Sequence, residues 1–169
     1  MNGLSIIVAS NGRRSLRSVI NGIMEQMKPG DELLLDYNND SPYGNKARNR
    51  MMLRAREGNG LVFFDDDDRV LPDGLHHMRE AYIHDQDRMH IFKMHFATWI
   101  LWTEPVVRKS NVSTQMIVVP ASWAICSHWG DRYEGDFDFI SGLAERFGHE
   151  SIQWHEELVA IHNGLRSAA

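Results

Sequence analysis

Hydrophobic runs of strand length alternate with helix-like patterns in the first half of the chain. The runs lie at residues 4–9, 32–36 and 61–64, and each is short enough to be a buried strand. Apolar residues at helical spacing follow Ser15, which predicts a helix from that N-cap residue to about Met27. A second helix is predicted over about residues 45–57. The order β-α-β-α-β favours a parallel sheet with right-handed crossovers.

The second half of the chain has a less regular pattern. It predicts a helix over residues 72–85, a strand at 89–96, a continuation or new strand at 98–102, a polar loop at 104–114 and a strand at 115–119. A helix over residues 136–147, closed by Gly148, and short strands at 152–154 and 158–162 follow. Because there is no internal repeat and no linker, we expect one domain.

Four consecutive acids, Asp65 to Asp68, come directly after the third predicted strand. Parallel strands place Ser10, Asp36 and this acid run at one crevice, which is a nucleotide-binding layout. Adjacent carboxylates repel one another, and in an extended backbone Asp65 and Asp67 would share one side. Carboxylate oxygens suit Mg²⁺, Mn²⁺ or Ca²⁺. An acidic surface loop is the alternative.

Composition limits the classes of protein that this chain can be. It has 169 residues, 43% of them hydrophobic and 24% charged, which are values of a globular protein. A net charge of −5 argues against general nucleic-acid binding. Cys126 is the single cysteine, so no disulfide framework is expected. With no signal-like N-terminus and no membrane span in the sequence, we expect a soluble, cytoplasmic protein.

Several motifs occur in a fixed order. Lys46-Ala47-Arg48-Asn49 precedes a glycine turn, then LVFFDDDD, Pro72 and, downstream, WGDRYEGDFDF at residues 129–139. This set resembles the family-2-like glycosyltransferases of the GT-A fold. The resemblance implies an α/β, Rossmann-like mixed sheet flanked by helices, in one domain over residues 1–169. Its nucleotide-binding half would be about residues 1–75, and its acceptor and catalytic half about residues 76–169.

The resemblance also implies a donor site for a UDP- or GDP-sugar with Mn²⁺ or Mg²⁺. The candidate metal ligands are Asp67 and Asp65, and a one-residue shift would exchange them for Asp66 or Asp68. The candidate donor-binding residues are Ser10, Asp36, Arg48, Asp65 and Asp66. The family usually carries a second Asp after the one at position 36, and here that residue is Tyr37. The arginines at positions 50, 54 and 56 are expected on a solvated helix face.

Asp136 is the candidate general base of the resemblance, with Glu134 as the alternative. A positioned carboxylate of this kind accelerates proton transfer about 10²- to 10⁴-fold. The family's Glu before this Asp is replaced by Gly135. The acceptor, whether glycan, lipid, protein or modified base, is open, and inversion is implied by the resemblance alone.

His162 is similar to a late histidine that some GT-A enzymes use as a metal ligand. A structural role is the alternative, and His155 is a second choice. Trp102 and Trp129 are candidates for stacking on a sugar acceptor.

Two other functions stay open. Asp66-x-Asp68-x-Val70 matches the motif of haloacid-dehalogenase-type phosphatases, in which the first Asp is the nucleophile, although that family places the motif on its first strand. A GT-A domain that binds nucleotide without turnover is the non-enzyme alternative. A calcium-binding EF-hand is excluded, because the positions that need Gly and Glu hold Val70 and His76.

Overall fold

The fold is built on one mixed, eight-stranded sheet in a computed structural model that describes residues 2–37 and 40–162. The strands are β1 Leu4–Ser10, β2 Glu32–Tyr37, β3 Gly60–Asp65, β4 Arg69–Val70, β5 Met89–Phe96, β6 Trp99–Leu101, β7 Ile117–Pro120 and β8 Ile152–Ile161. The helices are α1 Leu16–Met24, α2 Asn45–Met52, α3 Gly74–His84, α4 Ala121–Ala124 and α5 Gly135–Phe147. Short 3₁₀ turns lie at Thr114–Met116 and His149–Ser151.

The strand order brings three chain segments to one edge of the sheet. It reads β2-β1-β3-β7-β5-β8-β4, with β6 paired to β5. β1 is parallel to β2 and β3, which confirms the predicted parallel start, and Ala9 aligns with both Asp36 and Asp65. β7 then runs antiparallel to β3, and β5 antiparallel to β7. The carboxyl ends of β1, β2 and β3 therefore meet at the same edge.

The central strands β1 and β3 are buried. Every residue of β1 is buried, as is β3 up to its last residue, which explains their continuous apolar sequence. Phe63 of β3 packs edge-on against Trp129 and Phe139, at ring-centroid distances of 5.0 and 5.8 Å. This aromatic contact fixes α5 against β3.

Two predicted helices end earlier than their patterns indicate. α1 ends at Met24 rather than about Met27, and α2 ends at Met52 rather than Glu57. After α2 the amides of Arg54 and Ala55 donate to carbonyls three residues back, which tightens the chain into turns. Ser15 makes no side-chain cap to α1. Its hydroxyl instead donates to the Asp66 carbonyl at 2.7 Å.

The two late strands predicted at residues 152–154 and 158–162 are one strand, β8. It runs parallel to β5 with register shifts opposite Ile91 and Lys93, where the sequence pattern breaks. The two-residue strand β4 and the four-residue helix α4 were not predicted, since neither is long enough to show a period. No helix among residues 2–37 and 40–162 is long and apolar enough to cross a bilayer.

A histidine pair, in which His90 is buried and His155 half-buried, joins β5 to β8. His90 Nε2 lies 2.8 Å from the Asp85 carbonyl and must donate to it, so His90 Nδ1 accepts from His155 Nε2 at 3.0 Å. Burial lowers the pKa of His90 to about 4; the Asp85 carbonyl opposes this, and the neighbouring His155 adds to it. The ring of His155 stacks on that of Phe92, with 4.5 Å between the centroids. This second-choice candidate for a metal ligand therefore contacts the rings of His90 and Phe92.

We expect acid to destabilise the protein through His90. Its folded pKa lies below its unfolded value of 6.5, so the unfolded chain binds more protons as pH falls from about 6.5 to about 4. This shift corresponds to a loss of up to about 3 kcal/mol at the acid end. Urea unfolding from pH 7.5 to 4.5 should therefore give a shallower pH slope for His90→Asn than for the wild type. The exposed His84→Asn is the control, and parallel curves for His90→Asn and wild type would contradict the assignment.

Candidate active site

A cavity of about 520 Å³ opens at the carboxyl edge of β1 and β3. Six of the predicted site residues line it: Arg48, Asp65, Asp66, Asp67, Asp136 and His162. They come from α2, the acid run, the start of α5 and the end of β8. Ser10 and Asp36 do not line this cavity.

The acid run is a turn and not an extended segment. β3 ends at Asp65, and the Asp68 amide donates to the Asp65 carbonyl at 3.3 Å. The Asp68 carboxylate accepts the Asp65 amide at 2.7 Å. This side-chain bond closes the turn, so the extended backbone in which Asp65 and Asp67 would share one side is not formed.

Asp66 organises the β1–α1 loop from a buried position. It is 1% exposed, and it accepts hydrogen bonds from the Ser10 hydroxyl at 2.9 Å and the Asn11 amide at 2.7 Å. The Arg13 amide and guanidinium complete its shell at 3.3 and 2.7 Å. Ser10 is itself buried and supports Asp66. A carboxylate held by four donors is poorly placed to attack a phosphate, which disfavours the phosphatase alternative.

Two arginines balance the charge of the other cavity-lining acids. Arg13 Nη1 lies 2.9 Å from Asp67 Oδ2, and Arg48 forms an ion pair with Asp65. Burial raises the pKa of Asp65 to about 7; Arg48 opposes the rise, and the charges of Asp68 and Asp67 add to it. Arg48 therefore does not fully offset the effect of burial and of the neighbouring acids on the Asp65 carboxyl.

Arg48 is a fixed part of the cavity wall. Its side chain is 3% exposed, and Nη1 donates to the Tyr43 carbonyl and to Asn45 Oδ1, both at 2.8 Å. The guanidinium also lies over the ring of Trp129, 5.0 Å from its centroid. These contacts hold Arg48 in place, so any contact with a donor would be made through the face that lines the cavity.

Gln115 was missed by the sequence analysis, although it is 1% exposed beside the acids. Its amide donates to Asp68 Oδ2 at 2.6 Å and lies 3.5 Å from Asp65 Oδ2.

His162 Nδ1 lies 3.5 Å from Asp68 Oδ1, and the His162 ring stacks on Phe96 at 4.5 Å. Burial lowers the pKa of His162, but the hydrogen bond and charge of Asp68 outweigh it and the pKa is raised.

Asp136 lies half-buried at the first turn of α5, in the same cavity. Its Oδ2 accepts the Ser113 hydroxyl at 3.2 Å, and its Oδ1 accepts the Phe137 amide at 2.7 Å. Burial raises the pKa of Asp136 against the effect of these bonds and of Arg48. Glu134, the alternative base, also lines the cavity but is ion-paired with Lys109 at 2.8 Å.

Gly135 explains how Asp136 is held in place. A Cβ at this position would collide with the side-chain amide of Asn45 and the carbonyl of Gly130. That amide donates to the carbonyls of Gly130 and Arg132 at 2.6 and 2.9 Å. The start of α2 is thereby tied to the loop before α5, and the Glu that the family carries here could not be accommodated in this packing.

Asp36 and Arg50 form an ion pair outside the cavity. Arg50 Nε lies 2.8 Å from Asp36 Oδ2, and Arg50 Nη1 lies 2.7 Å from Asp40 Oδ2. The hydrogen bond to Asp36 raises the pKa of Arg50, against the effect of burial. Arg50 is exposed, as expected for a solvated helix face, and its side chain also reaches from α2 to Asp36 of β2.

The tryptophans proposed for sugar stacking are part of the core. Trp102 is 7% exposed and Trp129 is 1% exposed, so neither presents a ring face to the cavity, and that assignment was wrong. Trp99 is 53% exposed and lines the cavity instead. Its place at the β5–β6 turn could not be distinguished from that of Trp102 by sequence, since both lie in one apolar stretch.

The donor set fits a divalent cation that arrives with a phosphate ligand. Among residues 2–37 and 40–162, no group of three His, Cys, Asp or Glu side chains is positioned to hold a metal ion. Asp65, Asp67 and His162 nevertheless line the cavity, and Mg²⁺-type ions commonly bind one or two carboxylates with water and phosphate completing the shell. The chemistry of these ligands is compatible with such an ion.

Comparisons with solved structures identify the fold. S. aureus TarS matches with a TM-score of 0.72 at 13% identity, covering 94% of this chain and 36% of that chain. TarS 1–349 in complex with UDP-GlcNAc gives 0.72 at 13% identity, covering 95% and 58%. Glucosyl-3-phosphoglycerate synthase from Mycobacterium tuberculosis, in complex with Mn²⁺, UDP and glucosyl-3-phosphoglycerate, gives 0.71 at 12% identity, covering 95% and 72%.

These structures are GT-A glycosyltransferases, and the chain has the GT-A fold. The chain spans little more than a third of the length of TarS and under two thirds of the length of TarS 1–349. No protein-family model matches the sequence, and no curated protein matches it. The predicted α/β, GT-A class of fold is confirmed.

Gln115→Leu should destabilise the protein while preserving side-chain volume. The substitution removes one buried donor to Asp68, which keeps the Asp65 amide, and a hydrogen bond to a charged group contributes about 1.5–3 kcal/mol. Urea unfolding at pH 7 would measure this loss, with the exposed Gln86→Leu as the control. Equal unfolding free energies for Gln115→Leu and wild type would show that the amide does not support the acid turn.

Proposed function

We propose that this protein is a metal-dependent glycosyltransferase that moves a sugar from a nucleotide-diphosphate donor to an acceptor hydroxyl. The observation that supports it best is that Asp136, a carboxylate with a raised pKa, shares one cavity with the acids that follow β3. A base and a charge-stabilising cluster on one cavity are what this transfer needs.

The donor is assigned to the half of the chain up to about residue 75. TarS 1–349 binds UDP-GlcNAc, and the mycobacterial synthase binds UDP with Mn²⁺, which favours UDP over GDP and Mn²⁺ over Mg²⁺ for this chain. We assign Asp67 as a metal ligand, and Asp65 and His162 as the other two ligands that the protein supplies. When bound, a divalent cation supplies positive charge to the departing diphosphate.

The acceptor is assigned to the half after about residue 76. Its hydroxyl proton passes to Asp136 as the hydroxyl oxygen bonds to the anomeric carbon of the sugar. The bond from that carbon to the diphosphate oxygen breaks, and the nucleoside diphosphate leaves with the electron pair. A single displacement of this kind inverts the anomeric centre, and the Ser113 hydroxyl holds Asp136 in orientation during the transfer.

Donor binding is tested by thermal shift with UDP and GDP, each with and without Mn²⁺. Ligand at about 100 times its Kd stabilises by about 2.7 kcal/mol, which raises Tm by about 5–10 °C in a chain of this size. We expect UDP to give this shift only with Mn²⁺, and Asp67→Asn to abolish it. The exposed Asp87→Asn is the control. If Asp67→Asn showed the full rise in Tm with UDP and Mn²⁺, Asp67 would not be a metal ligand.

Catalysis is tested with Asp136→Asn and its matched control Asp138→Asn in the same helical turn, where Asp138 is ion-paired with Arg132. We expect kcat to fall about 10²- to 10⁴-fold in Asp136→Asn, with UDP affinity retained. Because the folded pKa of Asp136 is raised, its charged form costs stability at neutral pH, and Asp136→Asn should be at least as stable as wild type.

The pH profile gives a second readout of the same assignment. A general base acts only when it is deprotonated. The value of kcat/KM should therefore be low at acid pH and should rise as the pH passes through the raised pKa of Asp136. If Glu134→Gln rather than Asp136→Asn removes this limb, the base is Glu134. If wild type binds UDP with Mn²⁺ but shows no turnover with any donor sugar, the domain is the non-catalytic alternative.

A further inference from the structure

Arg13 supplies a half-exposed positive charge on the floor of the cavity. Its Nη1 lies 2.7 Å from Asp66 Oδ1 and 2.9 Å from Asp67 Oδ2, so one nitrogen bridges two acids. The Arg13 side chain is 38% exposed, whereas those of Asp66 and Asp67 are 1% and 2% exposed. The guanidinium therefore reaches the buried acids from the cavity side.

The backbone around Arg13 is fixed independently of its guanidinium. Asp66 accepts the amides of Asn11 and Arg13, and Ser15 donates to the Asp66 carbonyl. The loop is thus anchored to the acid turn even if the side chain rotates. Arg48 lacks this freedom, because its side chain is 3% exposed and bonded on several sides.

We propose that the Arg13 guanidinium neutralises Asp67 and competes with the divalent ion for this carboxylate. The metal then binds together with the diphosphate, and the diphosphate pairs with the displaced Arg13 guanidinium. This inference rests on the proposed function. Two cations beside one carboxylate repel each other, whereas a diphosphate brings enough negative charge to keep both. A guanidinium pairs well with phosphate oxygens, since its N–H groups form a fork that matches them.

The mechanism makes metal and nucleotide mutually dependent. Without nucleotide, the metal must displace Arg13 from Asp67, and the guanidinium keeps only its ion pair with Asp66. With nucleotide, the displaced guanidinium gains a phosphate contact, so each ligand strengthens the binding of the other by the same factor. Arg13 is thus a specificity residue for the diphosphate group.

Mn²⁺ binding by the full chain, followed by electron paramagnetic resonance of free Mn²⁺, tests the competition directly. Without nucleotide, Arg13→Gln should bind Mn²⁺ about tenfold more tightly than wild type, because no charge-assisted bond has to be broken. Arg14→Gln is the matched control, since it removes the same charge from an adjacent exposed residue that does not line the cavity. Unchanged or weaker Mn²⁺ binding in Arg13→Gln overturns the proposal.

Titration with UDP, and with GDP, at saturating Mn²⁺ tests whether Arg13 contributes to binding of the diphosphate. Arg13→Gln should bind the nucleotide about tenfold more weakly, with the coupling between Mn²⁺ and nucleotide reduced. If Arg13→Gln does not fold, Arg13→Lys keeps the charge but not the fork, and should weaken nucleotide binding while leaving Mn²⁺ binding unchanged. Wild-type nucleotide affinity in Arg13→Lys then overturns the proposal.

The two possible failures are distinguishable. If wild type binds neither UDP nor GDP at saturating Mn²⁺, the proposed function fails, and the role of Arg13 fails with it. If wild type binds nucleotide with Mn²⁺ but Arg13→Gln matches Arg14→Gln in both titrations, the competition alone is overturned.

Discussion

The need to neutralise consecutive carboxylates at the end of β3 is the constraint on which the site depends. Asp66, Asp67 and Asp68 are each at most 1% exposed, and a buried charge without partners costs several kcal/mol. The fold meets this cost with donors from distant parts of the chain: the β1–α1 loop, α2 and Gln115. The acid turn therefore determines which segments must converge.

That convergence depends on the aromatic packing beside the acid turn. Phe63 lies in β3 just before the acids and packs against Trp129 and Phe139, on the loop before α5 and on α5 itself. The Arg48 guanidinium lies over the ring of Trp129 while pairing with Asp65. One aromatic cluster thus sets the distance between the acid turn and the helix that carries Asp136.

The sequence predicted those parts of the fold and site that follow from local pattern. The runs around Ile6 and Phe63 gave the parallel strands, and an apolar run ending in acids located the cavity edge. The partners of the acids could not be predicted, because Arg13 and Gln115 lie about 50 residues from them along the chain. Periodicity is likewise silent on side-chain direction, so it did not distinguish the exposed Trp99 from the buried Trp102.

Gly135, which stands where the resembled family carries Glu, has a structural consequence for the cavity. Only a residue without a side chain lets the Asn45 amide reach the Gly130 and Arg132 carbonyls. The same Asn45 accepts from Arg48, which pairs with Asp65. A continuous set of contacts therefore runs from the acid turn through α2 to the loop that begins α5. Gly135 therefore links the acid turn to the helix that carries Asp136, because it leaves room for the Asn45 side-chain amide to reach these backbone carbonyls.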